Sequence, residues 1–358
     1  MPAPKTKITT LEACRGFAAV LVVLYHASGS MFEVYFGYPA VGWFRFGHAG
    51  VDFFFVLSGF IILYVHADDR GRPERLRNYA YRRVVRIYPI YWAVTLAMIA
   101  ASFVVPSIAA LPAMAPDHLL LSFFLLPQSG YPLVSVAWSL QHEMLFYVLF
   151  GILIVNRKLG LAVFAIWACL IVYCIFVEPQ TTLLQFAGRD FNILFFVGMA
   201  AAMAVRSRSI PWPRTMVLLG AVVFFTGGVL ENGGLELKEL LGRIVYGTGA
   251  ALMVMGLVEC ERSAGWKTPA PLLWIGAASY SIYLVHLNVL IVVEKAAGAL
   301  GLGKALPGLI VLAGVVLAAI VSGLICYIVF ERPLLAILRQ WNARRAEAPA
   351  PVAGPSVS

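Results

Sequence analysis

The sequence predicts an all-α protein that crosses a membrane about ten times. Three observations carry this. Hydrophobic residues make up 61% of the 358-residue chain and charged residues only 13%, about half the charged share of a soluble domain. The apolar residues come in long runs, not in alternating or heptad patterns, and roughly 17–25 such residues take a helix across a bilayer. The basic residues sit in short clusters between those runs, as they do in the cytoplasmic loops of membrane proteins.

Taken along the chain, the apolar runs place spans at 9–30, 50–66, 79–104, 133–155, 159–177, 189–205, 214–230, 243–259, 274–296 and 306–330, with ends set to within several residues. Hydrophilic breaks separate them at 67–78, which holds four arginines, at 206–214, with three arginines and two prolines, and at 231–243. The stretch 105–132 is proline-rich and nearly uncharged, and predicts a short non-spanning helix around 118–126. The domain expected is a single membrane unit over 1–345, followed by a disordered low-complexity tail over 346–358.

Orientation follows from lysine and arginine. With the N-terminus inside, the inside segments hold 20 basic residues and the outside segments 6, leaving Arg15 within the first span. This bias puts both termini in the cytoplasm. The net charge of +9 is thereby spent on topology, and no nucleic-acid-binding signature accompanies it. Lys5 and Lys7 before an apolar run suggest a signal peptide, but Glu12 and Arg15 interrupt the run, so a retained span is expected. The five cysteines are scattered, without a CxxC pair, and read as small apolar core residues.

Ionisable groups inside spans are costly and each is a functional candidate. Arg15 and His26 are eleven residues apart, which on a helix is about 20° past three turns and about 16 Å of rise, so they share one face. With the N-terminus inside, Arg15 lies near the cytoplasmic surface and His26 in the outer half. Snorkelling to headgroups is the plain reading of Arg15, and a helix-packing hydrogen bond that of His26. Asp52, in GVDFFFVLSGFII, enters from the outside at about the depth of His26. A carboxylate there would fix the imidazole tautomer and stabilise the imidazolium. His48 reads as solvated, and Ser58 and Gly59 as close-packing residues. Arg82, Arg83 and Arg86 crowd the start of the third span, where they suit positive-inside anchoring or a phosphate pocket. Glu143 falls mid-membrane, four residues from Tyr147 and so on its face. His142 beside it does not complete a zinc-protease motif, since residue 146 is Phe, and no metal site is expected. Ser279, Tyr283 and His286 form a stripe suited to substrate hydroxyls or to an interhelical network. Glu331 and Arg332 read as a structural boundary of the last span.

RGFAAVLVVLYH with its Arg–ten residues–His spacing, GVDFFFVLSGFII, RRVVRIYP, WSLQHEMLFY and SYSIYLVH occur in that order between about 9 and 332. Together they resemble acyltransferase family three, the integral-membrane O-acyltransferases of bacteria, and most closely its stand-alone exopolysaccharide-modifying members. The resemblance implies an inner-membrane enzyme that takes an acyl group, usually acetyl, from cytoplasmic acyl-CoA and delivers it to a hydroxyl of a glycan or lipid-linked glycan. It implies His26 as the base, with Glu143 a further essential acid. It implies donor contacts from Arg15, Arg83 and Arg86. Beside it, the residues themselves place Asp52 with His26, and Ser279, Tyr283 and His286 at the substrate. His26 would deprotonate the acceptor or carry the acyl group itself. The competing reading is a proton-coupled transporter or flippase using Glu143 and His26, which the lack of an internal repeat disfavours. Membrane lipids surround the chain, and the sequence leaves open a homo-oligomer.

Overall fold

The computed structural model describes residues 8–38, 42–235, 237 and 239–347. Among the described residues, ten helices are long and apolar enough to cross a membrane, and there is no strand. This all-α architecture follows from the bilayer, where every backbone N–H and C=O must be satisfied within its own segment. Of the expected tail over 346–358, residues 346 and 347 close the last helix, and the rest lie outside the described residues.

We label the helices used below in chain order: α1 Thr10–Ala27, α2 Ala49–His66, α3 Leu76–Ser102, α4 Pro116–Phe123, α5 Trp138–Val155, α6 Arg157–Phe176, α7 Ile193–Ser207, α8 Pro213–Asn232, α9 Glu239–Ala264, α10 Ser279–Ala299, α11 Gly308–Cys326 and α12 Arg332–Glu347. The short helix α4 is the expected non-spanning one. It is held against α3 from the side: Tyr91 donates to the carbonyl of Ser122 (2.5 Å) and the Trp92 indole to that of Phe123 (2.9 Å). Between α5 and α6 the chain reverses within one residue, where the Asn156 side chain caps α6 by accepting from the Leu159 N–H at 3.0 Å.

Helix α1 is central, packing on α2, α9, α10 and α11. Lipid supplies no hydrophobic drive to hold helices together, so close backbone approach matters. At the crossing of α2 and α7, a Cβ on Gly59 would stand 2.2 Å from the Phe195 carbonyl oxygen, and one on Gly198 would stand 2.1 Å from that of Val56. Gly59 is therefore the packing residue its sequence context suggests. Gly198→Leu should force α2 and α7 apart and cost at least about 3 kcal/mol, read as a lowered melting temperature of the purified protein.

Helices α11 and α12 are continuous through one π turn at Tyr327–Glu331. Such single-turn π insertions shift the register of one residue and cluster at functional sites. Here the turn holds Glu331, which is fully buried.

Candidate active site

A cavity of about 720 Å³ opens between α1, α2, α3, α5, α10 and α12. Its basic end is lined by Arg15, Arg82, Arg83, Arg86 and Arg339. The arginines differ in what they already hold. Arg86 donates to Glu331 at 2.6 Å, and Ser281 donates to the other oxygen of that carboxylate at 2.6 Å. Among the described residues, no carboxylate lies within ion-pair distance of Arg15 or Arg83. The Arg83 Nε is buried without a hydrogen-bond partner, and its guanidinium lies 5.7 Å from the Tyr147 ring centroid. Guanidinium groups without a carboxylate partner at one end of a cavity are donors waiting for an anion.

Midway along, Glu143 accepts two short hydrogen bonds, from Ser58 Oγ and from the Tyr147 hydroxyl, each at 2.5 Å. The expected Glu143–Tyr147 pairing along one helix face is thus present. Ser58, read from sequence as a packing residue, instead joins α2 to that carboxylate. Farther in, Ser139 and Tyr283 line the wall, while Ser279 lines it one turn earlier on α10, nearer the arginines. The Tyr283 hydroxyl is fixed by Ser139 Oγ (2.7 Å) and donates to the Val136 carbonyl (2.9 Å).

One turn beyond Tyr283 stands His286, and against it His26. Neither histidine lines the cavity. The His286 Nδ1 lies 2.6 Å from the Tyr283 carbonyl oxygen, and its Nε2 lies 3.2 Å from the His26 Nδ1, which is also 3.0 Å from the Val22 carbonyl oxygen. A carbonyl only accepts, so the His286 Nδ1 carries a proton. With both rings neutral, the His286 Nε2 then accepts, and the His26 Nδ1–H donates to it and to Val22. This partner set leaves the His26 Nε2 as the lone-pair nitrogen. The orienting group is therefore an imidazole and a backbone carbonyl.

Asp52 does not take that role. The expectation that it pairs with His26 is corrected by Arg243, whose Nη1 donates to both Asp52 oxygens (2.6 and 2.8 Å) while its Nε donates to Asp190 (2.9 Å). The guanidinium also stacks on Phe191, 3.6 Å from the ring centroid. A planar cation with several donors satisfies a buried carboxylate better than a single imidazole N–H. Arg243 reads in the sequence as a loop residue, and nothing in the linear order places it beside residue 52. His48 is likewise not simply solvated: its Nε2 lies 2.9 Å from Glu231. His142 is buried, bonded to Asn192 Oδ1 at 3.0 Å and stacked on Phe186. Glu331 is no mere boundary either, being the counter-charge of Arg86.

Of the sequence-picked residues, the structure gathers Arg15, Arg83, Arg86, Glu143, Ser279 and Tyr283 around one cavity, puts His26 and His286 together just past its end, and takes Asp52 elsewhere. Ser58, Tyr147, Ser139, Glu331 and Arg339 join the site.

A family model described as "Acyltransferase domain" matches residues 8–328. The chain belongs to acyltransferase family three. It is 31% identical over 319 residues to the exopolysaccharide production protein ExoZ of Rhizobium meliloti (strain 1021), covering 85% of this chain and 94% of that one. It is 26% identical to the putative membrane-bound transacylase BcsY of Komagataeibacter xylinus, over 92% of this chain and 83% of the relative. It is 24% identical to the peptidoglycan O-acetyltransferase OatA of Listeria monocytogenes serovar 1/2a (strain ATCC BAA-679 / EGD-e), over 79% of this chain but 49% of that longer protein. No solved structure matches. The motifs that carry the family resemblance in the sequence are thus the segments that build the cavity and the histidine pair, in a multi-pass membrane acyltransferase.

Proposed function

We propose that this acyltransferase moves an acyl group, acetyl by preference, from acyl-CoA to a hydroxyl of an exported or cell-surface polysaccharide. The observation that carries the reading is one cavity with arginines lacking a carboxylate partner at one end and, at the other, Tyr283 one turn short of the His286–His26 pair. The arginine end suits the phosphates of coenzyme A, which Arg forks match in geometry and charge. The positive-inside bias puts that end in the cytoplasm, where acyl-CoA is found, and both termini with it. The protein then sits in the inner membrane with His26 toward the acceptor side. A polysaccharide acceptor is suggested by the names of ExoZ and OatA.

In the reaction, the His26 Nε2 removes the proton of the acceptor hydroxyl as that oxygen bonds to the thioester carbonyl carbon. The carbon–sulfur bond breaks, and the leaving thiolate takes the proton back from His26 to give coenzyme A. His286 holds the His26 ring in the tautomer this requires. Glu143, bonded to Ser58 and Tyr147, ties α2 to α5 beside the thioester path.

Two measurements test this. Ester content of the surface glycan should fall to the level of a deletion strain when His26→Ala replaces wild type at equal expression. Equal ester content in wild type and deletion would remove the function. Purified protein should bind acetyl-CoA, and Arg83→Ala should weaken binding about 10- to 100-fold, the loss of one charge-assisted hydrogen bond. Arg86→Ala should weaken it less, because Glu331 already engages that guanidinium.

A further inference from the structure

The cavity ends at two rings. Tyr283 is 6% exposed and is held through its hydroxyl by Ser139 and the Val136 carbonyl. Phe54, from α2, meets it edge-on with ring centroids 5.6 Å apart. Both line the cavity, whereas His286, one turn past Tyr283 on α10, and His26 against it do not. Phe54 is half-buried and packs against both hydrophobic clusters of the bundle, at the seam between them. A group travelling from the arginines toward His26 therefore meets this pair. Tyr283 is pinned by two hydrogen bonds and keeps its place. The Phe54 phenyl ring has no polar atom to anchor it by hydrogen bonds, and it lines the cavity beside Tyr283.

We propose that Phe54, braced by Tyr283, limits the acyl group presented to His26 to short chains. The phenyl ring fills the room that about three or four methylenes would need in a close-packed interior. An acetyl group has no methylene to place there, whereas a hexanoyl group has four, and a longer chain must displace the ring. Against the apolar side chains of Phe54, Phe55 and Leu140 that line the cavity, each methylene that does find room is worth roughly fourfold in affinity. Phe54 is thus a specificity-determining residue, and the inference rests on the acyl-CoA reading above.

The test is competition binding of acetyl-, butyryl- and hexanoyl-CoA to the full chain in nanodiscs. The coenzyme A portion is common to all three, so the ratio of affinities isolates the acyl group. Wild type should bind hexanoyl-CoA at least about tenfold more weakly than acetyl-CoA. Phe54→Ala should remove or reverse that preference, with Phe54→Leu between the two. Phe54→Leu keeps most of the apolar packing and carries the test if the alanine variant does not fold. Wild type that binds all three esters alike would overturn the length limit alone. So would an unchanged ratio in folded Phe54→Ala or Phe54→Leu. A chain that binds none of the three would overturn the acyl-CoA donor itself, and the limit with it.

Discussion

His26→Gln should lower acyl transfer by about 10²- to 10⁴-fold, the usual worth of a positioned general base, while leaving donor affinity within about twofold. The split follows from position. His26 lies past the end of the cavity that the arginines line, so its loss removes a proton acceptor without removing a donor contact. Glutamine preserves polarity and approximate size but offers no basic nitrogen. His286→Leu should reproduce much of the loss, since the His26 Nδ1–H then keeps only the Val22 carbonyl and the ring is less well held. The same pair distinguishes the two chemical routes. If His26 carried the acyl group, incubation with radiolabelled acetyl-CoA and no acceptor would leave label on wild-type protein, releasable by hydroxylamine. Direct attack leaves the protein unlabelled. A parallel loss of donor affinity in His26→Gln would sink the assignment of base and donor to separate compartments.

Asp52→Ala should destabilise the folded protein by about 3–5 kcal/mol, the cost of leaving one member of a buried ion pair without its partner. Asp52 is fully buried, and Arg243 spends two hydrogen bonds on it. Asp190 stays with the guanidinium, which places the expected value toward the lower end. The readout is thermal unfolding in detergent, and the folded fraction should keep acetyl-CoA affinity. A variant with normal melting and a collapsed turnover rate would mean that Asp52 acts on His26 after all. Asp52→Ala with Arg243→Leu should recover part of the lost stability, because it removes the unpaired charge as well as its partner.

Much of the protein is legible in one dimension. The ten spans emerge because a bilayer demands a long apolar run for each crossing, and that demand acts on every segment alone. The cost of charge in a span singles out Arg15, His26 and Glu143 for the same reason. The spacing of Glu143 and Tyr147 is a property of one helix, and the bond between them was predictable from it. Contacts between two helices are different. Depth puts Asp52 level with His26, but depth does not say which side of a helix faces which neighbour. Glu331 reads in the sequence as a boundary of the last span; the π turn that holds it against Arg86 leaves no mark in composition.

Fold class, span number and the costly residues were thus determined by the sequence itself, through solvent rules that each segment obeys independently. Which arginine is neutralised, which group orients His26, and what stands between the cavity and the histidines were decided only by the tertiary structure. Each depends on lateral packing among helices distant in sequence, down to glycines such as Gly59 and Gly198 that bring two backbones into contact, and no single helix encodes its neighbour.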